Sequence, residues 1–344
     1  MPLCDEVQST GVSVLLPFRN AHGTLADAVA SIQAQTWADI EVLCIDDHSS
    51  DASRDVVRAQ VAGDRRFRLI RNPGQGLVDA LNAGLALARH DLVARMDADD
   101  LMHPRRIELQ RAMMLQEPDT AVLGSRVKAF AEPSLSEGFR AYVDWQNGCV
   151  SSNAIAADIY LEAPLAHPSV MLRRSVVQAA GGYRHGDFPE DYELWLRLHR
   201  LGHRLDKLPQ RLLHWRDGPA RLSRTDRRYR RDAFDVLRAD YLATDARVQA
   251  AAHRLAIWGA GRRTRRRVDR LLEHGFQPIA WIDIDPNKIG NRISDAPVVP
   301  PDWLRRRPRP FVLSYVAVHG ARALIEAELT RLDYSKGRDY LHVG

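Results

Sequence analysis

His90-Asp91-Leu92-Val93-Ala94-Arg95-Met96-Asp97-Ala98-Asp99-Asp100-Leu101-Met102-His103-Pro104 is the stretch on which the reading of this chain turns. Leu92, Val93, Ala94 and Met96 form a short apolar run of the kind that makes a buried strand, so Asp97, Asp99 and Asp100 arrive together where that strand ends. Three like charges so close repel one another, which calls for a cation among them. Clustered hard oxygen ligands suit Mg²⁺ or Mn²⁺, which bind through one or two carboxylates and keep their other positions for water and substrate phosphate. Taken alone, the same residues also describe an acidic turn, because Asp is a common turn residue. The flanking sequence decides between the two.

Upstream, the apolar, β-branched run 12–16 predicts a buried strand stopped by Pro17 and followed by the loop Pro17-Phe18-Arg19-Asn20. Thr24 is the expected cap of a helix in which Leu25, Val29 and Ile32 recur at helical spacing. Residues 40–45 predict a second strand, ending in Asp46-Asp47-His48-Ser49-Ser50-Asp51. Residues 67–70 predict a third, and a loop with Gly74 and Gly76 then leads into a helix over 77–88. Strand, helix, strand, with polar side chains gathered at the carboxyl ends, is the pattern of an open α/β sheet that binds ligands at that edge. A nucleotide fits there, since an aspartate accepts from a base imide N–H or a ribose hydroxyl. Asp51 reads equally well as an N-cap for a helix starting near Ser53. Gly76 reads as a place where backbone amides approach an anion or as a tight turn.

The 344 residues are enough for two domains, and 45% hydrophobic with 27% charged is ordinary for a globular chain. The net charge of +5 is uneven, with arginine crowding 216–238 and 262–270. Such clusters are solvated helix faces or attract phosphate and anionic lipid. No zinc-ligand spacing, recognition helix or aromatic stacking pattern accompanies them, so nucleic acid is not an expected partner. Cys4, Cys44 and Cys149 lie far apart and argue against both a disulfide framework and a zinc knuckle. No apolar run approaches membrane-spanning length and the start Cys4-Asp5-Glu6 lacks signal-peptide character, which makes the cytoplasm the expected location.

Residues 12–20, 40–51, 76–84 and 95–104 resemble the successive blocks of a family 2 glycosyltransferase with the GT-A fold. Ala166-His167-Pro168-Ser169, Gly181-Gly182-Tyr183 and Pro189-Glu190-Asp191-Tyr192-Glu193-Leu194-Trp195-Leu196-Arg197 follow in that family's order. The resemblance covers the first two thirds of the chain and implies a GT-A mixed sheet flanked by helices. It implies donor-nucleotide contacts from Pro17, Phe18, Asn20, Asp46, Asp47, Gly76, Asn82 and Asp97. It implies a divalent metal, Mn or Mg, on Asp99 and Asp100 with His214 as a further ligand. The metal would neutralise the departing nucleoside diphosphate. Asp191 is implied as the base that takes the acceptor hydroxyl's proton during inversion. On residues alone, Glu190 or Asp191 also reads as a helix-start charge. His167, Glu190 and Trp195 are placed on the acceptor side.

Residues 227–242 form an arginine-rich amphipathic segment that packs on the catalytic domain or rests on anionic lipid beside a lipid-linked acceptor. From residue 253 a new unit begins: a strand over 255–258, the turn Gly259-Ala260-Gly261, a helix over 262–274 and a strand over 278–282 ending in Asp283. This is a dinucleotide-fold outline without the third glycine, whose place Thr264 takes. It resembles the small Rossmann-like domain at the start of some bacterial sugar acetyltransferases, with Gly259, Gly261 and Asp283 as a second ligand site. The expected domains are therefore 1–220, a basic helical linker 221–252, and a Rossmann-like accessory domain 253–344 that serves binding or homo-oligomerisation.

The expected function is an inverting, metal-dependent transfer of sugar from a nucleoside-diphosphate donor to a hydroxyl of a bacterial surface glycan or lipid-linked precursor, with peripheral contact at the inner face of the membrane. A sugar nucleotidyltransferase would need a glycine-rich basic loop after the first strand, and Pro17-Phe18-Arg19-Asn20 is not one. A nucleotide-sugar-binding protein without turnover would not need all the acidic positions.

Overall fold

The computed structural model describes residues 11–131, 134–218, 221–317 and 320–344. Cys4, Asp5 and Glu6, named above, lie outside the described residues. The chain forms two compact units that interleave in sequence: Met1–Ser152, Leu165–Gly186 and Leu201–Arg224 make the first, and Asn153–Pro164, Asp187–Arg200 and Thr225–Gly344 the second. The 221–252 segment is thus no separate linker, since it divides after Arg224. The helix bearing Glu190 and Asp191 belongs with the second unit, not with the span 1–220 in which it was expected.

The first unit is built on eight strands: β1 (Val12–Phe18), β2 (Ile40–Asp46), β3 (Phe67–Arg71), β4 (Leu92–Arg95), β5 (Leu101–Met102), β6 (Thr120–Phe130), β7 (Met171–Arg173) and β8 (Arg204–Arg216). Their order is β3-β2-β1-β4-β7-β6-β8-β5. The first four run parallel, and antiparallel pairs at β4–β7, β7–β6 and β8–β5 make the sheet mixed, as expected. Every residue of β1 and β2 is buried, which fits parallel strands covered on both faces. Leu25, Val29 and Ile32 of the Leu25–Gln33 helix complete that core. On the Leu77–Leu87 helix, a Cβ at Gly84 would come 2.8 Å from Ile45 Cδ1 and Leu15 Cδ2, so any larger residue there makes these side-chain tips shift.

Two local expectations change. Pro17 does not stop β1, because the β1–β4 register ends at Leu15 and Arg95, so a missing N–H beyond that point removes no bond from that ladder. Thr24 makes no side-chain cap; its hydroxyl donates instead to the Ala98 carbonyl inside the acidic stretch, 3.0 Å away.

The second unit carries the strands β9 (Leu255–Trp258), β10 (Ala280–Ile282), β11 (Arg292–Ile293), β12 (Ala296–Val299), β13 (Phe311–Ser314) and β14 (Tyr340–His342) in the order β11-β12-β10-β9-β13-β14. All but β11 are parallel, with the first of the parallel strands at the centre, which is doubly wound topology. The Glu190–Arg200 helix is tied into this unit by polar bonds. Tyr192 Oη donates to the Ile159 carbonyl and Tyr241 Oη to Glu193, each at 2.6 Å, while Glu193 pairs with Arg197 at 2.8 Å. Both members of that ion pair are buried, so removing one would cost about 3–5 kcal/mol. Among the described residues no helix is long and apolar enough to cross a membrane.

Candidate functional site

The loops after β1, β2, β3 and β4 are linked by hydrogen bonds at the carboxyl edge of the first sheet. Asn20, with a left-handed φ of 49°, accepts the Ser50 N–H on Oδ1 at 2.9 Å and donates its own N–H to Ser49 Oγ. Asp47 Oδ1 accepts from Asn72 Nδ2 at 2.7 Å and from the Gly76 N–H at 2.8 Å, which joins the second loop to the third. Among the described residues Asp47 Oδ2 faces only Arg19, 3.9 Å off. Asp46, in contrast, has both oxygens engaged, by the Ser49 N–H at 3.0 Å and by Arg54 at 2.9 Å. Asp51 accepts from the Ser53 N–H and hydroxyl, but the cap position of the Ser53–Gln60 helix is Ala52, so Asp51 stands one residue before the place expected for it.

The fourth loop carries the acid cluster. Ligand oxygens of Asp97, Asp99 and Asp100 all lie within 4.8 Å of one another, and they are the one such group among the described residues. Arg95, buried behind them, pairs with Asp97 at 2.5 Å. The Arg216 N–H donates to Asp100 Oδ1 at 2.7 Å, and its Nε to the Asp99 carbonyl at 2.8 Å. Asp100 Oδ2 is buried and has no hydrogen-bond partner. Burial first, and the neighbouring Asp97 charge second, push the Asp99 carboxyl up to about 6. Burial with Asp97 and Asp99 pushes Asp100 well up too. An orphaned oxygen among carboxylates held this far from their ordinary ionisation fits a divalent cation, and all its donors are hard oxygens.

His214 does not join this group. It lies on β8 opposite Leu101 and beside Lys128 of β6, and burial, then the charges of Lys128 and His103, lower its pKa. Asn82 has both ends of its amide on the Tyr183 backbone at 2.9 Å, so it anchors a loop. His167 is buried, with Nε2 at 2.9 Å from Tyr183 Oη; burial and then Arg95 hold its pKa well down.

In the second unit, Glu190 is buried and both its oxygens accept from Tyr229 Oη, at 3.0 and 2.8 Å, whereas Asp191 is half-exposed. Trp195 has no exposed surface, so within its unit it is a core residue rather than an acceptor contact as expected. Asp283 closes on its own surroundings: Oδ2 accepts the Ala260 N–H at 2.9 Å and Oδ1 the Asp285 N–H at 3.0 Å, with Lys288 at 3.2 Å. Gly259 is needed for its φ of 112° and because a Cβ would meet Val316 and Thr264. Gly261 precedes the Arg262–Leu272 helix.

Arg95, Arg216, Asn72 and Arg106 were not singled out from sequence. Arg106 is fully buried and donates to the Arg95, Pro168 and Val170 carbonyls, where burial pulls it down to about 9. Only its place just after the acidic stretch hinted at this.

This architecture is the GT-A fold. Crystalline S. aureus TarS 1–349 matches it with a TM-score of 0.51 at 14% identity, over 77% of this chain and 79% of that one. The family model described as glycosyl transferase family 2 matches residues 13–180. An uncharacterized glycosyltransferase of Haemophilus influenzae is 30% identical over 58% of this chain and 73% of its own. The amylovoran biosynthesis glycosyltransferase AmsE of Erwinia amylovora is 38% identical over 42% of this chain, which spans about half, 51%, of that relative. An Escherichia coli UDP-Gal:alpha-D-GlcNAc-diphosphoundecaprenol beta-1,3-galactosyltransferase is 28% identical over 62% and 76%. The chain belongs to the family 2 glycosyltransferases.

Proposed function

We propose that this glycosyltransferase moves a sugar, with inversion and with a divalent metal, from a nucleoside diphosphate to a hydroxyl of a surface glycan or its lipid-linked precursor. The observation that carries the reading is the Asp97, Asp99 and Asp100 trio with its buried, unpartnered oxygen. An ion held by these three supplies charge neutralisation for the departing diphosphate, and Mg²⁺ and Mn²⁺ both suit the donor set. Arg95 and Arg216 hold the trio in place before donor arrives, so the charges need no rearrangement during reaction. Asp47, with one oxygen engaged by Asn72 and Gly76, offers the other to a base N–H beside the Pro17–Asn20 loop.

Asp191 is the proposed base, taking the acceptor hydroxyl's proton as its oxygen attacks the sugar carbon opposite the leaving group. Its greater exposure than Glu190 supports that choice. The acceptor class is supported by the name of the E. coli relative, which specifies a diphosphoundecaprenol-linked sugar. Residues 253–344 of the second unit are proposed as an accessory domain of the kind found in sugar acetyltransferases. The test is nucleoside diphosphate release from UDP-, GDP- and dTDP-sugars, with acceptor extract, with Mn²⁺ and with chelator. Metal-dependent release from one donor is expected. Release indifferent to chelator would remove the metal, and absence of both donor binding and release would remove the donor class.

A further inference from the structure

The Arg262–Leu272 helix of the second unit has the sequence RRTRRRVDRLL, and its arginines fall into two sets. Arg267 is half-buried and pairs with Asp235 at 3.1 Å, above the buried Val268 and Leu271. Arg262, Arg263, Arg266 and Arg270 are exposed, and among the described residues none of them makes an ion pair or side-chain hydrogen bond. At 3.6 residues per turn these four fall within an arc of roughly 100°, a continuous basic stripe.

Several other exposed arginines of this unit are neutralised locally, Arg227 by Asp187, Arg305 and Arg331 by Asp302, and Arg338 by Asp339; the stripe is not. No acidic residue stands in the first turn of its helix, so Arg262 and Arg263 add positive charge to the positive end of the helix dipole. A nearby anionic surface relieves both penalties.

The neighbouring Arg231–Ala243 helix extends the stripe. Asp235 meets Arg267 and, further along both helices, Asp240 meets His274 at 3.1 Å, so the two run side by side in the same direction. That arrangement brings the exposed Arg230 and Arg231 to the same end as Arg262 and Arg263. No aromatic side chain interrupts the four-arginine stripe, and single-stranded nucleic acid would use such side chains for stacking. Val236, 39% exposed, adds an apolar side chain on the second helix.

We infer that this face of the second unit docks on an anionic bilayer. Its choice of lipid over another polyanion rests on the lipid-linked acceptor proposed above. Attraction of each arginine to anionic headgroups is cumulative and falls off within a Debye length, so binding is sensitive to salt.

The test is flotation of the full chain with phosphatidylcholine vesicles with and without phosphatidylglycerol, at low and high salt. The chain floats only with the anionic vesicles and is released by salt. Arg262→Gln, Arg263→Gln, Arg266→Gln and Arg270→Gln together lower the partition by about tenfold or more, while the four corresponding Arg→Lys changes retain it. If the glutamine quartet does not fold by circular dichroism, Arg266→Gln with Arg270→Gln reads the same loss in part. Wild type ignoring anionic vesicles, an undiminished glutamine variant, or preference for duplex oligonucleotide over vesicles overturns the inference. Donor and acceptor are absent from this assay, so its failure is distinct from failure of nucleoside diphosphate release.

Discussion

Both units place aspartates at the carboxyl end of a parallel strand, and they treat them oppositely. Asp283 follows β10 and is satisfied from within: against the upward push of burial, the N–H groups of Asp285 and Ala260 and then Lys288 hold its pKa below the ordinary carboxylate range. Asp99 and Asp100 follow β4 and are pushed upward by burial and then by the Asp97 charge, with Asp100 Oδ2 left unpartnered. An acid at a strand end is therefore not a site in itself. Unsatisfied charge held rigidly by neighbours is what distinguishes a place built for a ligand from a turn built for the fold.

The Glu190 and Asp191 pair extends the comparison, since Glu190 is buried and held by Tyr229 while Asp191, which accepts the Tyr192 N–H, is more exposed to solvent. The largest effect is expected there: Asp191→Asn should lower transfer by about 10²–10⁴-fold with donor binding intact. Glu190→Gln should chiefly lower thermal stability. Transfer assays beside donor titration separate the two, and an active Asp191→Asn enzyme would withdraw the base.

Next in size is the direct contrast between the units. Asp99→Asn should lower turnover by about 10²–10³-fold, whereas Asp283→Asn should leave turnover unchanged and cost about 1 kcal/mol of stability in denaturant titrations. Equal losses of turnover from both would break the comparison.

A smaller and opposite effect is expected at Asp100. Asparagine there can still accept the Arg216 N–H, and its amide can donate to the adjacent carboxylates, so Asp100→Asn should raise the metal-free Tm by about 2–4 °C while it weakens metal binding. Added Mn²⁺ should then raise the Tm of wild type more than that of the variant. A lower metal-free Tm in the variant would show that the trio is not under electrostatic strain.

The smallest effect concerns pH. His167 has a folded pKa well below its ordinary value, because of burial and then Arg95. As pH falls below about 6.5 the unfolded chain takes up the proton first, so folded stability declines toward acid by up to about 1.4 kcal/mol per pH unit. His167→Gln should flatten that part of the acid slope in Tm measured against pH. An unchanged slope would show that the ring titrates normally.

Much of this was legible in sequence. The runs that became β1, β2, β3, β4, β9 and β10 could be read because strand burial is a local pattern, and the helix over 77–88 closes one residue early at Leu87. The long pair β6 and β8 was not anticipated, since interspersed charges such as Arg126, Lys128 and Lys207 mask its periodicity. Acid residues with no covalent neighbour to answer them were visible, but Asp46 and Asp97 looked alike until Arg54 and Arg95 were in place.

The sequence by itself determined where strands end and which ends carry carboxylates, because both depend on residues within a few positions of one another. Only the tertiary structure decided which carboxylates are left open. Asp100 is held by Arg216, 116 residues on, Asp47 by Asn72 and Gly76, and Asp283 by Ala260 from a different strand end. It also decided that the Glu190–Arg200 helix is tied to Tyr241 and Ile159 in the second unit. The reason is physical: a carboxylate's partners are chosen by distance in space, and a chain folded into sheets brings together donors that sequence separation conceals.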